Sequence, residues 1–155
     1  MKYKTLIVGI ALAVATASGA GAQSGDQAFV TKMGGVTLAE IELGNMARDK
    51  ASSRDVKGFG QRMIDDHSQA GRELKVIAER KNLTWPSALP PDAVALKERL
   101  AKLSGAAFDR AYIDAMVSGH KDVLGVVKTH AQSGGDAEVK AWATKASSSV
   151  QAHLT

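Results

Sequence analysis

Four histidines and a small set of carboxylates are the side chains in this sequence best suited to chemistry, because the chain has no cysteine at all. Thiol catalysis, disulfides and thiolate metal sites are therefore excluded. A metal, if held, must take imidazole, carboxylate, thioether or backbone ligands. At about 100° per residue, His67 falls near the centre of an apolar stripe made by Val56, Phe59, Gly60, Met63, Ala70, Leu74, Ile77 and Ala78. Asp66 sits at the edge of that stripe and Asp65 points away. Glu40 lies inside the margin of a face carrying Val36, Ala39, Leu43, Met46 and Ala47, with Glu42 on the opposite margin.

Further along, Phe108, Tyr112, Ala115, Met116, Gly119, Val123 and Val126 define a third inward face, with His130 central and His120 flanking it. His153 shares a fourth face with Val139, Trp142, Ala143, Ala146 and Val150. Buried charge must be paired, hydrogen-bonded or metal-bound, so two readings stand. In one, Glu40, His67, His120 and His153 form a mixed nitrogen and oxygen site for one divalent transition metal (zinc, iron or copper), with Asp66 orienting an imidazole from behind. In the other, the carboxylates simply hydrogen-bond the histidines and satisfy a few interior polar groups.

Chain levels favour a common spot. Glu40 lies about 12 residues before the first expected turn and His67 about 14 after it, a small offset at 1.5 Å per residue. His153 and His120 are offset by one to two turns on the same count, and His130 lies near a turn, outside any central cluster. No Glu-x-x-His occurs, which argues against a carboxylate-bridged di-iron or di-manganese centre. Met33, Met46, Met63 and Met116 could supply thioethers to copper, but at helical spacing they read more simply as core filler. No nucleophile elbow, phosphate loop or zincin motif is present.

These faces require helices. Apolar periodicity and end signals predict five, at about 26–50, 54–81, 92–103, 106–132 and 136–153. Proline occurs only at Pro86, Pro90 and Pro91, so the middle is where the chain turns. Gly34-Gly35 interrupts the first helix as a kink, a close crossing or a break. Four long helices and one short connecting helix make an all-α four-helix bundle the economical fold. The 82–105 connection sets its topology: a long crossover makes the second and fourth segments parallel, and a folded-back one makes them antiparallel.

Residues 1–22 are expected to be a signal peptide. Lys2 and Lys4 precede an uncharged apolar run from Leu6 to Ala17, and Ala20-Gly21-Ala22 offers a cleavage site before Gln23. Residues 23–155 then form a single helical-bundle domain. Removing Lys2 and Lys4 takes the formal charge from +4 to 18 minus 16, or +2. That is too small for strong nucleic-acid attraction, and no later segment is apolar enough to span a bilayer.

Gly34-Gly35 followed by Glu40 and Leu43-Gly44, then Met63-x-x-Asp66-His67, Phe108-Asp109-x-x-Tyr112-x-x-x-Met116-x-x-x-His120 and the terminal His153, resemble an exported bacterial family known as domain of unknown function 4142. The resemblance spans nearly the whole mature chain. It implies a ferritin-like four-helix bundle outside the cytoplasm and matches Glu40, Asp66, His67, His120 and His153, while His130 does not match a family position. Gly119 stands where a larger, commonly acidic residue is expected. The family implies no reaction. The expected role is a periplasmic, non-enzymatic bundle in envelope or stress-related binding, with an envelope protein as a possible partner. The alternatives are a metal-dependent enzyme on the same cluster and partner binding through an exposed apolar face.

Overall fold

The computed structural model describes residues 18–155; the positive and apolar parts of the expected leader, Lys2 to Ala17, lie outside the described residues. Five helices follow in order: α1 (Ser18–Lys50), α2 (Arg54–Arg80), α3 (Pro91–Ala101), α4 (Gly105–Ser133) and α5 (Ala137–His153). There is no strand among the described residues, and no helix there is long and apolar enough to cross a membrane.

Helix α1 begins eight residues before the expected start at 26 and runs through the expected cleavage point before Gln23. Nothing in residues 18–25 forbids this, because the stretch has no proline. Asp26, which could have capped a helix start, does other work: its carboxylate accepts hydrogen bonds from the backbone N–H groups of Gly135 (3.1 Å) and Asp136 (2.8 Å) in the α4–α5 turn. At the opposite end Asp109, on α4, accepts from Ser52 N (3.0 Å) and Ser53 N (2.9 Å) in the α1–α2 turn. Each hairpin thus caps the turn of the other. Ser53 and Asp136 complete the caps by accepting from the first backbone N–H groups of α2 and α5.

Two apolar layers show how the helices run. One joins Phe29, Val30 and Met33 of α1 to Leu74 and Ala78 of α2, Val127 of α4 and Val139 and Trp142 of α5. The other joins Leu43 and Ala47 of α1 to Phe108, Tyr112 and Met116 of α4, with Phe59 of α2 packed against them. The beginnings of α2 and α4 therefore share one end of the molecule, so these helices are parallel. Residues 81–104 form the long crossover, and the fold is a ferritin-like up-down-down-up bundle in which α3 is the short connecting helix.

The crossover explains Gly34-Gly35. Helix α1 is continuous there, and the glycines make room: a Cβ on Gly34 would lie 2.5 Å from Pro86 Cδ and 3.3 Å from the Trp85 ring. The Gln27 side-chain amide holds the same strap, donating to Thr84 O (3.0 Å) and accepting from Thr84 N (2.8 Å). Trp85 is accordingly a packing residue. Close approach recurs between α1 and α2, where a Cβ on Gly44 would meet Gly60 O at 2.7 Å.

Candidate metal centre

Between the two apolar layers lies one polar layer, built from the middle of α1, α2 and α4 and the end of α5. Its position follows from sequence neighbours. His67 is placed between buried Met63 and Leu74, and His120 between buried Met116 and Val127. Packing the flanking apolar residues leaves the imidazoles no direction but inward.

The inward face of α4 is rotated from expectation. Phe108, Tyr112, Met116 and His120 are buried at four-residue spacing, followed by Val127, so His120 is central. His130 stacks on Phe29 at 3.8 Å between ring centroids, with Nε2 2.9 Å from Asp26 Oδ1, near the α4–α5 turn. It is separate from the other three.

His67, His120 and His153 come together. One nitrogen from each lies within 4.8 Å of the other two. His120 Nε2 is 3.1 Å from His153 Nδ1, and the His67 ring centroid is 5.7 Å from that of His120 and 5.6 Å from that of His153. The one-to-two-turn offset expected for His120 and His153 is closed by side-chain direction. Every helical Cα–Cβ bond leans toward its own N-terminus. His120 thus leans away from the α4–α5 turn and His153 leans toward it, so the two rings converge.

Hydrogen bonds behind the rings decide which nitrogens carry protons. A carbonyl oxygen can only accept, so His120 Nδ1 donates to Met116 O, 2.8 Å away. This leaves Nε2 with a lone pair in the neutral ring. His153 Nε2 donates to Asp66 Oδ2 at 2.9 Å, which leaves Nδ1 with a lone pair when the ring is neutral. These are the two nitrogens that face each other at 3.1 Å. His67 Nε2, also buried, has no hydrogen-bond partner among the described residues. Three ring nitrogens thus converge on one interior spot, where a positive centre between them would use their lone pairs.

Burial works against charge on His67 and His120. Desolvation, reinforced by repulsion from His120 and His153, pushes His67 down to about 3. Desolvation also lowers His120, partly opposed by its bond to Met116. Asp66 feels desolvation upward as its largest single influence, yet the combined hydrogen bonds and charges of His153 and Arg62 hold it below the usual carboxylate range. It therefore stays an acceptor.

Glu40 stands apart from the three converging nitrogens. Its Oε1 lies 3.9 Å from His120 Nδ1, the nitrogen turned away from the cluster. Its Oε2 is buried without a partner among the described residues. Desolvation raises its carboxyl to about 7. The buried Tyr112 hydroxyl, also unpartnered among these residues, has its pKa raised by desolvation and by the Glu40 charge. Glu42 is exposed and pairs with Lys97 at 2.6 Å. The methionines pack as core: Met33 and Met116 in the two apolar layers, Met46 against the second, and Met63 fully buried.

The donor set suits a metal of borderline softness. Tetrahedral coordination with metal–nitrogen bonds of 2.0–2.1 Å puts ligand nitrogens about 3.3 Å apart, close to the 3.1 Å between His120 and His153. His67 would have to close by roughly 1.5 Å to reach the same spacing. The carbonyl and carboxylate behind His120 and His153 are the partners that metal-ligating imidazoles usually have.

Among solved structures the chain is similar to a Streptomyces coelicolor protein described as secreted and as DUF305. The two are 16% identical with a TM-score of 0.71, over 84% of this chain and 87% of the other. At that identity the likeness shows the fold alone, a helical bundle of the same architecture. A comparison with curated proteins finds no match. The family model described as domain of unknown function, DUF4142, matches residues 11–155, and the chain belongs to that family.

Proposed function

We propose that this protein is an exported, periplasmic metal-binding bundle that holds one divalent transition metal on His67, His120 and His153. The observation that carries the reading is the convergence of three imidazoles on one spot, with His120 Nε2 and His153 Nδ1 held 3.1 Å apart by hydrogen bonds on the far side of each ring. A proton shared by that pair would still leave His67 Nε2 without a partner among the described residues, whereas a metal takes a lone pair from each of the three rings. Asp66 holds His153 in register, and Glu40 supplies a compensating charge behind His120 rather than a direct ligand. Zinc fits three imidazoles best, and iron and copper fit the same donors. The leader expected over residues 1–22 supports a role in envelope or stress-related metal binding.

A metal-dependent enzyme on the same three residues is the second reading. One observation favours it: a hollow of about 160 Å³ reaches the solvent beside His153, bounded by Arg62, Asp66, Glu73, Trp142 and Lys145. Zinc-, iron- and copper-loaded protein with no turnover of ester, phosphate or peroxide substrates would reject it.

The metal reading is tested by metal analysis of the mature chain, purified without a histidine tag and dialysed against zinc, ferrous iron or cupric ions. One equivalent is expected in the unmodified protein, and less than a tenth of that in His67→Ala, His120→Ala and His153→Ala at limiting metal. Glu40→Ala should retain the metal more weakly. Near-zero metal in the folded, unmodified protein would reject the centre.

A further inference from the structure

The two hairpins repeat one another in sequence. Asp26-x-Ala28-Phe29-Val30-x-x-Met33 on α1 corresponds to Asp109-x-Ala111-Tyr112-Ile113-x-x-Met116 on α4. On α2, Val56-Lys57-Gly58-Phe59-Gly60-x-Arg62 corresponds to Val139-Lys140-Ala141-Trp142-Ala143-x-Lys145 on α5. Both correspondences have the same offset, 83 residues. Geometry follows it. Asp26 and Asp109 cap each other's hairpin turns. The edge-to-face pair Phe29–Trp142 (5.9 Å, 73°) has its counterpart in Phe59–Tyr112 (6.3 Å, 70°). The bundle therefore has an internal pseudo-two-fold axis.

The same offset carries Glu40 to Val123, His67 to Val150, His120 to Thr37 and His153 to Ala70. All four counterparts line a single cavity of about 40 Å³, and Asp66, His67 and His153 line it as well, so it borders the histidine cluster. The interior thus has two equivalent halves, one equipped with nitrogen donors and the other apolar and partly empty. Trp142 closes part of the cavity and is pinned, since its Nε1 donates to Ala70 O at 3.0 Å. The solvent-reaching hollow shares Asp66, Ala70, Trp142, Ala146, Ser149 and His153 with the cavity, which gives it an approach from outside.

We propose that this apolar half is the ligand chamber of the centre, which takes an uncharged molecule of two or three heavy atoms bound at the coordination position that the three histidines leave open. Size sets the class: an apolar cavity of roughly 150 Å³ accepts benzene, and this one is far smaller. Lining sets the charge, because its walls are almost entirely apolar and its one ionised neighbour, Asp66, repels anions. The proposal rests on the metal reading and adds to it the identity of the open side.

Nitric oxide is a suitable probe for the anaerobic, ferrous-loaded mature protein, followed by electron paramagnetic resonance. The unmodified protein should bind one equivalent of iron and form a spin-3/2 iron–nitrosyl. Ala70→Val and Ala146→Val, which each add two methyl groups to the cavity wall, should keep the iron and weaken nitric oxide binding at least 10-fold. Stoichiometric iron with no nitrosyl, or undiminished affinity in iron-loaded variants, would overturn the chamber and leave the metal centre standing. No iron in the unmodified protein would overturn the ferrous chamber, and the absence of zinc and copper as well would overturn both. Xenon provides the measurement that does not depend on metal or on the variants' folding. In the metal-free unmodified protein it should shift the methyl resonances of Val123 and Val150, and their failure to respond would overturn the chamber.

Discussion

Replacing Glu40 with glutamine removes one charge from the polar layer with almost no change of shape, and its effect on stability should depend on pH in a way the structure fixes. The carboxyl is buried with one oxygen unpartnered, and desolvation raises it from 4.5 to about 7. A raised carboxyl means that the folded state binds the proton more tightly than the unfolded state. Glu40 therefore costs nothing at pH well below 4.5. The cost grows as pH rises through 4.5 and levels off above about 7. One pKa unit is about 1.4 kcal/mol, so the full cost is about 3 kcal/mol, of which about 2–3 kcal/mol develops between pH 5 and pH 8. His67 acts in the opposite direction, because a ring pushed down to about 3 loses stability as pH falls below 6.5. That contribution is shared by both proteins and cancels in their difference. Urea denaturation of the metal-free mature chain and of Glu40→Gln, at pH 5 and pH 8 with chelator present, gives the four free energies. Glu40→Gln should gain about 2–3 kcal/mol relative to the unmodified protein on going from pH 5 to pH 8. A difference that stays flat across this range would refute the claim that a desolvated carboxyl sits in the layer.

Three further outcomes follow from particular contacts. Gly44→Ala should lose about 1–3 kcal/mol in urea denaturation despite alanine's better helix propensity, because the new Cβ would meet the Gly60 backbone oxygen at 2.7 Å and backbone cannot give way. Asp26→Ala should cost roughly 2–4 kcal/mol by the same assay, since it strands the N–H groups of Gly135 and Asp136; faster hydrogen exchange confined to the α4–α5 turn would localise the loss. Asp66→Ala removes the acceptor that holds His153 Nε2, and should weaken zinc binding by about 10–100-fold in competition with a chromogenic chelator while leaving one site per chain.

How far the sequence could be read depends on which physical signal each feature leaves. The helices are strong signals because amphipathic stripes repeat over many turns, and α2, α4 and α5 lie within one or two residues of expectation. The extended start of α1 left no such signal, since residues 18–25 carry no strong apolar stripe and three glycines, Gly19, Gly21 and Gly25, that disfavour a helix by propensity. Direction on a helix face is also legible, which is why Glu40, His67, His120 and His153 were traced to the interior. Every helical side chain leans toward its own N-terminus, and between antiparallel neighbours the leans oppose, so a count of residues along each helix separates His120 from His153 while the structure brings them into contact. The count equally misses that Glu40 reaches the outer nitrogen of His120. Asp26 left a weak local signal because its partners are 109 and 110 residues away.

The repeat is legible in the sequence, although its period of 83 residues far exceeds the 20–50 residues of stacked repeat proteins. Its value is that it turns an absence into information. A ring of histidines in a helical bundle gives no indication of which side a ligand should approach. Once the hairpins are set in register, each residue of the centre acquires a counterpart that occupies an equivalent place against an equivalent core. At those four places this chain carries valine, valine, threonine and alanine. Side chains of that size and polarity cannot hold a second ion, and they do not fill the space. The pseudo-symmetric fold thus supplies two equivalent interior positions, which under the proposed reading the side chains divide between a metal and the molecule it would meet.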